Sequence, residues 1–153
     1  MNRRDALLSF ASGIAAATAF PVAAQVSIDR PLLDLVSDTI LPEDALTPSA
    51  SAIGAVDDVL EMVQSHQMLQ QLMAFGLQWI NQAAGVPFAH LPTEGREQLL
   101  KLAQDSDFNQ VPGRFFHVLR VLLLEAYYAK PEALAGLPLN SAPQPEGYLP
   151  PWS

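Results

Sequence analysis

The chain has 153 residues, half of them hydrophobic, no cysteine and a formal net charge of −8. Without thiols there are no disulfides, thiolate-held zinc, iron–sulfur clusters or covalently attached haem. The acidic balance argues against nucleic acid and anionic membrane surfaces, and is compatible with a basic protein partner.

The chain opens on Asn2-Arg3-Arg4-Asp5-Ala6-Leu7-Leu8. An alanine-rich apolar stretch follows and closes on Val22-Ala23-Ala24. Arg3 and Arg4 ahead of a short apolar region, with a small-residue site ending at Ala24, read as a removable twin-arginine export signal over residues 1–24. An ordinary secretory signal with two arginines, or an uncleaved anchor, are the competing readings. The stretch is only modestly hydrophobic for an anchor, and Pro21 breaks it before the cleavage point. The twin-arginine route carries folded proteins, often already loaded with a cofactor.

The rest reads as an all-α domain over 25–130, a small bundle of about five helices, followed by an extended proline-rich tail over 131–153. Leu32, Leu33, Leu35, Val36 and Ile40 predict an amphipathic helix over 31–41. Thr47 and Pro48 suit the cap and first position of a second helix, whose face carries Ile53, Val56, Leu60 and Val63. Asp57, Asp58 and Glu61 lie opposite and read as a solvated acidic face, because no cation accompanies them locally. A third helix spans 67–84. Its apolar residues, from Met68 through Phe75 to Ile80, run round most of the circumference, which predicts burial on several sides. Thr93 is expected to cap a fourth helix over 94–104, with Leu99, Leu100, Leu102 and Ala103 as its core face. Phe115 to Tyr128 form a central core helix, too short and too polar to span a bilayer. Beyond Lys130, repeated prolines predict extended chain that carries Tyr148 and Trp152 as aromatic anchors for another protein's groove; a disordered C-terminus is the competing reading.

No catalytic residue, cofactor site or metal site is expected in this chain. The glycines form no dinucleotide or phosphate fingerprint, and no nucleophile elbow occurs. His66, His90 and His117 have no partner at metal-ligand spacing. Among leucines and valines, Arg120 must pair internally, with Glu125 or a neighbouring carboxylate, snorkel to solvent, or face a partner protein. Arg120, Tyr148 and Trp152 are therefore the candidate partner interface. A weaker reading makes His117, Arg120 and Glu125, which share one helix, the core of an enzyme site.

Several segments together resemble the gluconate 2-dehydrogenase subunit 3 family. They are Asp38-Thr39-Ile40-Leu41-Pro42-Glu43-Asp44, Thr47-Pro48-Ser49-Ala50 with Ala55-Val56-Asp57-Asp58-Val59-Leu60, and Phe88-Ala89-His90-Leu91-Pro92-Thr93 with Gln98-Leu99-Leu100. Phe115-Phe116 with Leu119-Arg120 and Glu125-Ala126-Tyr127-Tyr128, and the Gln144-Pro145-Glu146-Gly147-Tyr148 tail with Trp152, complete the likeness. Ser49 and Ala126 stand where glycine is common in the family. The resemblance implies a non-catalytic small subunit that accompanies a large FAD-dependent flavoprotein of the glucose–methanol–choline oxidoreductase type. A multihaem cytochrome c is often a third subunit. Such a small subunit supplies the export signal to the twin-arginine translocase and helps the flavoprotein mature. The complex, periplasmic and held at the membrane through its partners, oxidises gluconate, sugars or polyols. The alternative is a stand-alone periplasmic helical binding or chaperone-like protein.

Overall fold

The computed structural model describes residues 27–136. The expected export segment, with Arg3, Arg4 and Ala24, and the tail anchors Tyr148 and Trp152 lie outside them. The described residues form five α-helices and no strand: α1 (Arg30–Ile40), α2 (Ala55–Gln64), α3 (Gln67–Ala83), α4 (Thr93–Asp105) and α5 (Val111–Tyr128). Short 3-10 turns occupy Phe88–His90 and Pro131–Gly136. The all-α expectation holds for this body.

Helix α1 starts where the sequence suggests. The Asp29 carboxylate accepts the Leu32 N–H at 3.1 Å, and Pro31 sits in the first turn, where its missing donor costs nothing. Leu33 and Val36 are fully buried, and Ser37 lies among them. The helix ends as Leu41 N–H reaches back to the Ser37 carbonyl, just before Pro42.

Helix α2 starts later than the sequence suggests. Thr47 and Pro48 do not open it; they belong to a loop tied down at three points. The Asp44 carboxylate accepts the N–H groups of Leu46 and Thr47, both at 2.7 Å. Asp38 accepts from Ser51 N–H at 2.8 Å and from its hydroxyl at 2.6 Å. The Pro48 carbonyl accepts the Tyr127 hydroxyl at 2.7 Å. A run of turns over 50–53 then ends at Gly54, whose φ of 81° lies in the left-handed region, and Ala55 begins the helix. Local capping chemistry favoured Thr47; bonds from distant residues won.

Helix α3 buries one face, not several. Met73, Gly76, Leu77 and Ile80 point inward, whereas Met68 is 83% and Phe75 49% exposed. Gly76 lies against α5 so closely that a Cβ there would come within 2.0 Å of the Phe115 ring. The chain leaves α3 through Gly85, again at positive φ.

In α4, Thr93 is the first helical residue rather than the cap; extended Pro92 precedes it and no side chain caps the end. Leu99, Leu100 and Ala103 face the core as expected, while Leu102 is exposed. Helix α5 is the centre of the bundle and packs against α2, α3 and α4. Phe115, Leu119, Leu123, Ala126 and Tyr127 make its buried stripe. Phe116 is buried as well, but Tyr128, expected in the same core cluster, is exposed. After α5 the chain winds through Pro131–Gly136 instead of extending at once, and seats Ala133 in the core.

Candidate functional site

The acidic face of α2 is not simply solvated. Arg30, at the start of α1, bonds Asp34 at 2.8 Å and also the Asp57 carboxylate. Lys130, just past α5, bonds Asp58 at 2.6 Å. The hydrogen bond from Arg30 holds the Asp57 carboxyl below the usual carboxylate range, and the guanidinium's own pKa is raised by Asp57 and then Asp34. Both cations come from distant elements, so no signal near Asp57 or Asp58 in the sequence could have revealed them. These bonds tie the ends of α1 and α5 to α2.

The three residues of the enzyme reading share α5 but do not converge. His117 is half-buried in an aromatic group, 6.1 Å from the Phe108 ring centroid and 5.8 Å, edge-on, from that of Phe116. Arg114 covers the other part of that group, with its guanidinium 5.6 Å from the Phe108 centroid. Glu125 opens onto a different surface, a hollow shared with Asp58, Glu61 and Met62. Spacing accounts for part of the divergence: Arg120 is one turn from His117 on the same side of α5, whereas five residues at about 100° each turn Glu125 well away from Arg120. Among the described residues, no three His, Asp or Glu side chains gather where they could hold a metal ion. His66 and His90 are exposed.

Arg120 is not buried. The leucines around it are its neighbours in sequence, whereas in space it sits about 100° from Leu119 and away from the core stripe. No pair with Glu125 forms. Arg120 instead lines a groove of about 410 Å³ between the end of α1, α4 and α5, with Ile40, Leu100 and Phe116 below and Thr39, Glu97, Lys101 and Gln104 around it. Sequence reasoning singled out Arg120 and missed Lys101 and Gln104. Those two lie one turn apart on α4, and their meeting with Arg120 is a product of helix packing alone.

Over the described residues, the fold and its surfaces define a class: a small helical bundle whose distinctive polar residues line separate surface hollows. Residues 28–140 match the family described as Gluconate 2-dehydrogenase subunit 3, and the chain belongs to that family. The family is named for one subunit of a dehydrogenase complex. No curated protein and no solved structure matches the chain. Among the described residues, no helix is long and apolar enough to cross a membrane.

Proposed function

We propose that this chain is the non-catalytic small subunit of an exported, FAD-dependent dehydrogenase that oxidises gluconate, a sugar or a polyol. The flavin belongs to a large partner of the glucose–methanol–choline oxidoreductase type, and this chain supplies the passage across the membrane and helps that partner mature. The observation that carries the reading is the family match over 28–140, a subunit family of a dehydrogenase. The export role is supported by Arg3-Arg4 ahead of the apolar stretch ending at Ala24. A flavoprotein without its own signal would then cross bound to this chain, folded and loaded.

The test is a paired substitution, Arg3→Lys with Arg4→Lys, in the native host. The flavoprotein is expected to collect in the cytoplasmic fraction, with dehydrogenase activity lost from the periplasm and membranes. Unchanged export of that flavoprotein would falsify the carrier role.

A further inference from the structure

Of the eight lysines and arginines, Arg3 and Arg4 lie outside the described residues. Almost every remaining cation is engaged. Arg30 holds Asp34 and Asp57, and Lys130 holds Asp58. Arg96 donates to the Ala89 carbonyl at 2.9 Å and covers the Phe88 ring; Arg114 donates to the Phe108 carbonyl and covers that ring. Lys101 reaches Asp105 at 3.4 Å, a loose pair between well-exposed groups. Arg120 alone has no hydrogen bond, ion pair or ring partner among the described residues. Glu97 lines the same groove and still makes no ion pair with it.

We propose that this groove between α1, α4 and α5 receives a carboxylate side chain from a loop of the partner flavoprotein, gripped by Arg120 and assisted by Lys101. This rests on the accessory-subunit reading above and adds the place and chemistry of contact. Charge complementarity selects the occupant. In a body this acidic, a hollow with an unpartnered guanidinium and a loosely held ammonium is where a negative group is attracted rather than repelled. The planar guanidinium binds a carboxylate through two parallel N–H donors. Gln104 and Thr39 add polar partners at the rim, and Ile40, Leu100 and Phe116 give an apolar floor for the residue beside the acid. That floor suits a protein segment, with an apolar side chain next to an acidic one, better than a hydroxyl-rich sugar acid. The surrounding acidic surface draws a basic partner in, and the groove then sets register with one reversed pair.

The experiment uses the full chain, tagged and purified from its native periplasm and membranes with the flavoprotein that comes with it. Arg120→Glu changes an exposed residue, so its circular dichroism should match wild type. Its affinity for the flavoprotein should fall at least about tenfold. A photoreactive amino acid replacing Gln104 should cross-link to a flavoprotein peptide holding an Asp or Glu, and changing that acid to Lys should restore binding to the Arg120→Glu chain. Equal binding by wild type and Arg120→Glu, or cross-links only within this chain, would overturn the groove and leave the accessory reading standing. A wild-type chain that brings down no flavoprotein would sink both. Gluconate binding to the free chain that Arg120→Glu abolishes, with flavoprotein capture unchanged, would make the groove a small-anion site and overturn the proposal.

Discussion

Tyr127 shows how a single side chain decides the course of a loop. Its ring is buried at 3% exposure on the core face of α5, and its hydroxyl donates to the Pro48 carbonyl, 79 residues away in sequence, at 2.7 Å. That bond helps hold residues 47–50 as a loop, so a helix does not begin at Pro48. Tyr127→Phe keeps the ring and removes the donor, leaving a carbonyl short of its partner, at an expected cost of about 1–2 kcal/mol. Urea unfolding checks this: the midpoint should fall while the slope stays the same. Arg120 teaches the opposite lesson. Its apolar sequence neighbours suggested burial, but neighbours along a helix point in different directions, and the residues that share its groove are Phe116, four positions back, four residues of α4 and two of α1.

At the scale of elements, the contact between α3 and α5 depends on the absence of a side chain. Gly76 is buried, and the Phe115 ring fills the space a Cβ would need. Gly76→Ala therefore forces α3 and α5 apart or drives Phe115 from its rotamer, and should destabilise by about 1–3 kcal/mol despite alanine's better helix propensity. A thermal melt with unchanged circular dichroism at low temperature would confirm a packing cost; a stability gain would show that the helices yield freely. The contrast with exposed Phe75 next door is instructive. The run from Met68 to Ile80 looks apolar on all sides, yet only the face built around Met73, Gly76, Leu77 and Ile80 meets other helices. Composition marks a helix as able to be buried, and the number of neighbours it meets decides how much of it is.

For the whole molecule, charge sets how stability responds to pH. Asp44 is held below the usual carboxylate range by the backbone N–H groups of Leu46 and then Thr47, and Asp57 by the Arg30 guanidinium. A carboxyl whose folded pKa is depressed contributes stability that is fully present above its unfolded value, about 3.9, and is lost as pH falls through the folded value. The melting temperature should be nearly flat from about pH 7 to pH 5 and decline below about pH 4, and Asp57→Asn should make that decline shallower. Both groups are exposed, so the change is small, and high salt should reduce the part carried by Arg30 and Asp57. An equal decline in Asp57→Asn would place the acid sensitivity elsewhere. Against that acidity, Arg120 and Lys101 bring two cations to one groove, which is the basis of the contact proposed there.

Much of the helical layout was legible in the chain itself. The 3.6-residue period marked α1, α3 and α4 nearly to their ends, while α5 begins a full turn before Phe115, at Val111, with Pro112 inside its first turn; Pro31 and Gly85 punctuated α1 and α3, and the missing cysteines removed thiolate chemistry. These are local properties, written within one or two turns of the residues concerned. What tertiary structure alone decided lies between helices. It includes the pairing of Asp57 with Arg30 and of Asp58 with Lys130, the seat of Phe115 on Gly76, the bond from Tyr127 to Pro48, and the groove that collects Lys101 and Gln104 around Arg120. The physical reason is that a hydrophobic period states which face of a helix turns inward, but not which helix it meets or at what register; those follow from how all five pack at once.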